Sequence, residues 1–233
     1  MLGAAVVATA AVAPFDHVIA NRLGQPRWHH STTVQRTAKT VALFGGDGPF
    51  IVSAAVYAVG TVAGDGGGRL QTVTDAALHN VEAIALATVV TGLGKGLAGR
   101  ALPGVAVRHA FSFGRGFHDR NGAFVSFPSG HTAAAFAMAA TLSGEVSAVD
   151  PDLGSRIAPL AFAGAASVGI ARVVQHVHWP SDLPLAAAIG TWSGHVVQAH
   201  VHSHSATASA LRGLSVSPAP GHGVSIGWSS LGQ

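Results

Sequence analysis

Long apolar stretches separated by clusters of Gly, Pro and Asp run along most of the chain, and this pattern predicts helices. Strand signals are weak, because apolar and polar positions seldom alternate with a period of two. The predicted helices cover residues 49–63, 74–97, 129–149, 155–174 and 181–201. With an N-terminal helix they predict an all-α bundle of about six helices, a single domain over residues 1–201. Residues 202–233 are a Ser-, Gly- and Pro-rich tail, in which residues 223–228 form a short strand or are disordered.

Four stretches outside the five ranges given above have other patterns. Residues 1–13 are apolar and rich in small side chains, which fits a first helix, a signal-peptide remnant or an end trimmed from a longer chain. Residues 14–39 are polar and mixed, and residues 65–68 are a glycine-rich turn. Residues 98–128 form a long loop, and loops of this length are often functional.

The composition indicates a chain whose surface does not all face water. Hydrophobic residues make up 48% of the chain and charged residues 10%, whereas soluble domains carry about 25% charged residues. Many of the apolar residues are small, as in membrane bundles whose helices approach closely. We therefore predict a membrane-embedded protein; the alternative is a soluble, Ala-rich helical protein, because the apolar runs are short for spans of about 20 residues.

The absence of cysteine excludes disulfides, thiolate metal sites and a cysteine nucleophile. The formal net charge is +3, and the basic residues form no run of the kind that follows a nucleic-acid backbone. We therefore expect no nucleic-acid partner. An anionic substrate or an anionic lipid surface fits the charge better.

Three clusters of polar residues lie at the ends of predicted helices. They are Lys95 to Pro103, then Phe127 to His131, then a set formed by Arg172, His178 and Asp182. In an up-and-down bundle, the end of one helix and the start of the next lie at the same end of the bundle. All three clusters are therefore predicted to meet at one end of the molecule.

The Ser129-Gly130-His131 cluster suits an anion site at a helix start. Ser129 is a favoured N-cap residue, and the free amides of a helix N-terminus bind phosphate. Gly130 lets the backbone approach a ligand closely, and His131 would stand in the first turn. The alternative is an ordinary capped helix with an incidental histidine.

The third cluster suits a nucleophilic histidine. His178 precedes a helix that would begin after Pro180, and Asp182 lies in its first turn. A carboxylate bound to one imidazole nitrogen fixes the tautomer and directs the other nitrogen outward. Arg172 offers a bidentate phosphate ligand. The alternative is a surface ion pair beside a structural histidine.

These clusters together resemble the signatures of the type 2 phosphatidic-acid phosphatase superfamily, which read K-x6-R-P, P-S-G-H and S-R-x5-H-x3-D. The second signature is intact as Pro128-Ser129-Gly130-His131. The third is present as Arg172, His178 and Asp182, with Ala171 in place of the usual serine. The first keeps Lys95 and Pro103, but Leu102 stands where the arginine is expected.

The resemblance implies a phosphatase that needs no metal and no cofactor. His178 would attack phosphorus, Asp182 would orient it, and His131 would protonate the leaving oxygen. The phosphate ligands would be Lys95, Ser129, Gly130 and Arg172. Arg100 is expected to replace the charge missing at Leu102, with Arg108 and Arg115 as the other candidates.

The expected substrate is a lipid phosphate or lipid diphosphate, such as a phosphatidate, a phosphatidylglycerophosphate or a polyprenyl diphosphate. The alternatives are a soluble periplasmic acid phosphatase of the same superfamily, a vanadate-dependent haloperoxidase, and a membrane protein with an impaired site marked by Leu102. A weak histidine-based metal site, with His200, His202 and His204 in the tail, is a further alternative.

The orientation in the membrane has conflicting signals. Most Lys and Arg residues fall on the active-site side, which the positive-inside rule would place in the cytoplasm. Several of them are expected phosphate ligands, and the resemblance implies a cell-membrane protein whose site faces the periplasm or the exterior. Phenylalanines at 111, 113, 117, 124 and 127 either insert at the membrane interface, shape a lid or form a small core.

Overall fold

The computed structural model describes residues 1–23, 30–63, 68–105, 110–119, 121–212, 214–219 and 223–228, with side chains as far as residue 201. Within these residues the chain forms eight α-helices and two β-strands. They are α1 (Leu2–Val12), α2 (Asp16–Leu23), α3 (Thr32–Ala42), α4 (Asp47–Ala63), α5 (Arg69–Ala98), α6 (Gly130–Val149), α7 (Pro151–Val174), α8 (Asp182–Arg212), β1 (Leu214–Ala219) and β2 (Gly223–Trp228).

The eight helices form six rods, as the sequence pattern predicts. A 3-10 turn at Ala13–Phe15 joins α1 to α2, and a short turn at residues 43–46 joins α3 to α4. Five of the rods are long and apolar enough to cross a membrane. They cover Leu2–Leu23, Thr32–Ala63, Arg69–Ala98, Gly130–Val149 and Pro151–Val174. The prediction of an all-α, membrane-type bundle is confirmed.

The structure differs from the predicted pattern at helix ends and in the polar N-terminal segment. Helix α3 begins there because Ser31 caps it, accepting a hydrogen bond from the amide of Val34. Helix α7 begins at Pro151 rather than at residue 155, because Asp150 accepts a hydrogen bond from the amide of Leu153 and proline fits the first turn. Trp28, His29 and residues 65–67 lie outside the described residues.

The last helix is longer than predicted. Helix α8 ends at Arg212 rather than at residue 201, and β1 then pairs antiparallel with β2, with Leu214 opposite Trp228. The side chains of His202 and His204, proposed as weak metal ligands, lie outside the described part of the chain.

Helix α6 lies at the centre of the bundle, packed against α5, α7 and α8. Small residues allow this close approach: a Cβ atom added at Gly190 of α8 would lie 2.1 Å from the carbonyl oxygen of Ala133. The central core is correspondingly rich in alanine, and it comprises Ala83, Ile84, Ala87, Ala133, Ala134, Ala137, Ala186 and Val197. This arrangement brings the ends of α5 and α7 and the starts of α6 and α8 to one end of the bundle.

The loop between α5 and α6 is held mainly by backbone hydrogen bonds. The amide of Ala101 donates to the carbonyl of Ser112, and the amide of Ser126 donates to the carbonyl of Arg100. Gly99 makes the turn out of α5 with a left-handed φ of 53°, and a Cβ atom there would lie 2.0 Å from the amide nitrogen of Gly116. The loop therefore folds back tightly on the end of α5, close to Lys95.

Candidate active site

His178 lies just before α8, buried, with its ring fixed by a backbone carbonyl. Its Nδ1 atom lies 2.7 Å from the carbonyl oxygen of Ser126 and 3.4 Å from Oδ2 of Asp182. A carbonyl oxygen only accepts hydrogen bonds, so Nδ1 carries the proton and Nε2 keeps a free lone pair. Burial lowers the pKa of His178 from its ordinary value, and the interaction with Asp182 opposes that shift. The imidazole is therefore held neutral, and the lone pair of Nε2 is not used by the contact with Ser126.

Asp182 is fully buried and accepts hydrogen bonds on both carboxylate oxygens. Oδ2 accepts from the Ser126 hydroxyl at 2.5 Å and from the Trp179 amide at 2.8 Å, and Oδ1 accepts from Nη1 of Arg100 at 2.5 Å. Asp182 therefore holds the chain around His178, while its own distance to Nδ1 is longer than that of the carbonyl. The expected orientation of His178 by Asp182 is thus shared with the backbone of Ser126.

Arg100 does not occupy the position expected of a phosphate ligand. Its side chain is 2% exposed, and its guanidinium contacts two carboxylates, Asp182 on one side and Asp16 of α2 on the other. The guanidinium also donates to the Ser181 hydroxyl and to the carbonyl of Ala110. Because these partners already take up the guanidinium, the geometry favours a role in holding Asp182 over a role in replacing the charge missing at Leu102.

Lys95 and Arg172 supply the other positive charges at this end of the bundle. The ammonium group of Lys95 donates to the carbonyl of Val125 at 2.6 Å, and its Cε lies 3.8 Å from a Cβ atom built at Gly130. Arg172 donates through Nη1 to Gln175, while its buried Nε has no hydrogen-bond partner in the structure. A buried N–H without a partner is costly unless a ligand satisfies it, which suits an anion site.

The start of α6 has the predicted form. Ser129 is the N-cap residue, its amide donates to the carbonyl of Asp182, and its hydroxyl oxygen accepts from Thr132. His131 stands in the first turn, against the turn that joins α3 to α4. A Cβ atom at Gly46 of that turn would lie 3.2 Å from Nε2 of His131. The turn therefore limits where the His131 ring can move.

An apolar groove opens beside His131 between α4, α5 and α6. Its volume is about 450 Å³, and its walls include Phe50, Ile84, Ala85 and Val89. The charged and polar groups of the groove, among them His131 and Asp47, are few. The groove can therefore hold a hydrocarbon chain next to a titratable histidine.

The remaining candidates from the loop lie at its surface. Phe111, Phe113 and Phe117 are exposed by 49–69%, which favours an interfacial position over a small buried core. Arg115 is exposed, and its guanidinium lies 5.2 Å from the centre of the Phe124 ring. Arg108 lies outside the described residues.

Three residues that the structure places at the site were not predicted from the sequence: Ser126, Ser181 and Asp16. Ser126 acts through its carbonyl, for which a sequence has no side-chain signal. Ser181 and Asp16 complete the contacts of Arg100. Asp16 did carry a signal: it is an acidic residue within an apolar segment long enough to span a membrane, and such residues are generally functional.

Most of the helical bundle matches a known protein family. The model of the PAP2 superfamily matches residues 76–210, more than half of the chain. The chain belongs to the PAP2 superfamily. The matched region contains Lys95, the Ser129-Gly130-His131 turn, Arg172, His178 and Asp182, so the three clusters that meet at one end all fall within it.

Individual members of the PAP2 superfamily match this chain over a short region or at low sequence identity. The lipid A 1-phosphatase of Porphyromonas gingivalis is 41% identical over 100 residues, which cover 41% of this chain but only 21% of that protein. The transmembrane PAP2 type phosphatidylglycerolphosphate phosphatase of Bacillus subtilis matches with a TM-score of 0.62 and 17% identity, covering 85% of this chain and 92% of that one. Aquifex aeolicus LpxE matches with a TM-score of 0.56 and 22% identity, covering 79% and 95%. The two solved structures share the PAP2 fold of this chain.

Proposed function

We propose that this PAP2 protein is a metal-independent phosphatase that hydrolyses a phosphomonoester or diphosphate of a lipid through a phosphohistidine on His178. One observation carries the proposal. Nδ1 of His178 donates to the Ser126 carbonyl, and this leaves the lone pair of Nε2 free to attack phosphorus. The names of the relatives, a lipid A 1-phosphatase and a phosphatidylglycerolphosphate phosphatase, support a lipid phosphate as the substrate.

The reaction has two steps. In the first, Nε2 of His178 bonds to phosphorus, the bond from phosphorus to the leaving oxygen breaks, and His131 gives that oxygen a proton. In the second, His131 takes a proton from water, whose oxygen attacks phosphorus and releases inorganic phosphate from Nε2. The proton that His131 gives up in the first step is regained from water in the second, so the enzyme returns to its starting protonation state.

Fixed donors stabilise the transferring phosphoryl group. Lys95 and Arg172 bring positive charge, and the amides at the start of α6, beginning with Gly130, point out of the helix. The unpartnered Nε of Arg172 is a donor already placed for an equatorial oxygen. In this arrangement the charge that develops on phosphorus is met by protein donors alone, so the mechanism requires no metal.

The groove beside His131 supports a lipid as the leaving group. It is largely apolar and adjoins the histidine that protonates the leaving oxygen. A soluble ester would leave these walls unfilled, whereas a hydrocarbon chain would bury them. The lipid substrate is therefore favoured over the small phosphate ester of a soluble acid phosphatase.

Phosphate release from a panel of lipid phosphates, lipid diphosphates and an aryl phosphate tests the proposal, with purified protein in excess chelator. Wild type is expected to turn over at least one lipid substrate, and His178→Ala to be inert. His118→Ala, which changes an exposed histidine of the loop, is the matched control and should keep full activity. A wild type that is inert on every substrate would favour the alternative of an impaired site, which Leu102 alone suggests.

A groove-filling variant tests the lipid part of the proposal. Ala85→Trp places a large ring in the groove from an exposed position of α5. It should lower kcat/KM for a lipid phosphate and leave kcat/KM for the aryl phosphate unchanged. Leu93→Trp, also exposed on α5 but outside the groove wall, is the control. Equal losses on both substrates would contradict the assignment of the groove to the lipid.

We also propose that the site faces the periplasm or the exterior of the cell membrane, as the resemblance implies. The chain contains no cysteine, so single cysteines can be placed without background. Phe117→Cys lies at the active-site end and Val149→Cys at the opposite end of α6, and both positions are exposed. A membrane-impermeant maleimide added to intact cells should label the first and not the second. The reverse pattern would place the site in the cytoplasm.

A further inference from the structure

The carboxylate of Asp16, at the start of α2, is buried in the same network as the nucleophile. Asp16 is 0% exposed. Its Oδ2 accepts hydrogen bonds from Nη2 of Arg100 and from the Ser181 hydroxyl, both at 2.6 Å, and its Oδ1 accepts from the Ser181 amide at 2.9 Å. His17, the next residue, also contacts this network: its Nε2 accepts a hydrogen bond from the amide of Ala110, whose carbonyl accepts from Nε of Arg100.

Asp16 reaches the nucleophile through two residues. Arg100 bridges Asp16 to Oδ1 of Asp182, and Oδ2 of Asp182 lies 3.4 Å from Nδ1 of His178. Asp16 lies outside residues 76–210, the part of the chain that the PAP2 superfamily model matches. The first rod of the bundle therefore adds a charge to the network of Arg100, Asp182 and His178, which all belong to the matched region.

The charges of this network decide what Asp16 does. The single positive charge of Arg100 faces two carboxylates. If Asp16 lost its charge, Asp182 alone would balance the guanidinium, and the attraction of Asp182 for the imidazole of His178 would weaken. We propose that Asp16 is a positioning residue that balances Arg100 and thereby keeps the carboxylate of Asp182 effective on His178. This inference rests on the proposed role of His178 as nucleophile.

The predicted pH effect follows from the groups that surround His178. Asp182 favours its protonated form, while Lys95 and Arg172 disfavour it, and His131 is a further neighbour. Removing the charge of Asp16 leaves more of the field of Arg100 uncompensated, which disfavours the imidazolium further. The pKa of His178 should therefore fall, and the acid limb of the profile of kcat/KM against pH should move to lower pH.

The variant Asp16→Asn keeps the size of the side chain and removes its charge. We expect kcat on a lipid phosphate to fall about 10-fold to 100-fold, by analogy with the loss of residues that orient the ligands of a catalytic metal. KM should not change, because Asp16 does not touch the substrate, and the acid limb should move to lower pH. Asn21→Ala, an exposed position of the same helix, is the control and should match wild type in all three measurements.

The outcomes separate this inference from the proposed function. A folded Asp16→Asn protein with unchanged kcat and an unchanged acid limb, beside an active wild type and an inert His178→Ala, would overturn the positioning role alone. An inert wild type would overturn the proposed function, and the inference with it. If Asp16→Asn fails to fold, Ser181→Ala removes the hydroxyl between Asp16 and Arg100 and decides instead. It should reduce kcat by a smaller factor and move the limb in the same direction by a smaller amount, because it loosens the contact of Asp16 with Arg100 without removing a charge. No change in either would overturn the inference.

Discussion

The two sides of the site are built in opposite ways. On the nucleophile side, Asp16, Arg100 and Asp182 are buried and fully engaged with one another, and a backbone carbonyl holds His178. On the side proposed to bind phosphate, Arg172 keeps a buried Nε without a partner in the structure, and Leu102 stands where the PAP2 signature has an arginine. In the proposed mechanism, the first side is complete before substrate arrives, and the anion of the substrate supplies the missing partner of the second.

This difference predicts that one side contributes mainly to the free energy of unfolding and the other mainly to substrate binding. Breaking a buried ion pair by removing one partner typically destabilises a protein by about 3–5 kcal/mol, so the nucleophile side is coupled to folding. An unsatisfied buried donor costs about 1–3 kcal/mol, which an arriving anion can recover. Substitutions on the first side should therefore affect both stability and kcat, and those on the second should mainly affect catalysis.

The largest effect is expected from Asp182→Asn. Both oxygens of Asp182 accept hydrogen bonds, so an amide must present N–H groups to Arg100 or to the Trp179 amide. By analogy with the aspartate of a catalytic triad, kcat should fall about 10³-fold to 10⁴-fold. Phosphate release under single-turnover conditions and the melting temperature measure the two effects.

A matched change at the far end of the bundle controls for this prediction. Asp150 caps α7, and asparagine is an equally good N-cap residue, so Asp150→Asn should change neither kcat nor stability. If Asp182→Asn lost no more activity than Asp150→Asn, the carboxylate would not be part of the mechanism.

On the phosphate side, Arg172→Lys should lower kcat/KM about 10²-fold to 10³-fold, because lysine keeps the charge but loses the planar group and its Nε donor. Stability should change little. Arg156→Lys, at an exposed position near the start of the same helix, is the control. An unchanged kcat/KM together with a lower melting temperature would show that Arg172 stabilises the fold rather than binding phosphate.

The variant Leu102→Arg sharpens the comparison by restoring the expected arginine. We expect kcat/KM for a lipid phosphate to rise about 10-fold, less than the roughly 10²-fold to 10³-fold that one well-placed transition-state donor contributes. Leu102→Gln, which is polar but uncharged, should give no comparable gain. A loss of activity with Leu102→Arg would indicate that the site has adapted to the neutral residue.

The smallest effect concerns the pH profile. Burial lowers the pKa of His178 below its ordinary value of 6.5, so its neutral form persists to lower pH than in an exposed histidine. The acid limb of kcat/KM should therefore lie below pH 6.5, with activity lost as pH falls through it. Phosphate release from pH 4 to 8 locates this limb, and a midpoint above pH 6.5 would show that the imidazole is not held neutral by burial.

The sequence predicts the bundle and the meeting of its three clusters, because helix periodicity and end signals are local. The positions of Ser129 as N-cap and of His178 before α8 follow from capping and proline rules that act within a few residues. Lys95 and Arg172 are likewise placed by the helices that carry them. These predictions required no knowledge of contacts between distant parts of the chain.

The partners of Arg100 could not be predicted in the same way. Asp16 and Ser181 are 165 residues apart, and no local pattern indicates that they share a hydrogen bond. Arg100 itself was expected at the phosphate because its position beside Leu102 suggested substitution. In the structure Arg100 contacts Asp16 and Asp182, and the backbone of residues 98–102 is hydrogen-bonded to residues 112–114 on one side and 123–126 on the other.

The use of a main-chain carbonyl to hold the nucleophile has a consequence for how this site can diverge. A point substitution at residue 126 changes the hydroxyl but leaves the carbonyl in place, so the tautomer of His178 is buffered against mutation there. By contrast, the loop side chains Phe111 and Phe117 are exposed. Chains that share this backbone can therefore change the exposed surface of the loop while the tautomer of His178 is kept.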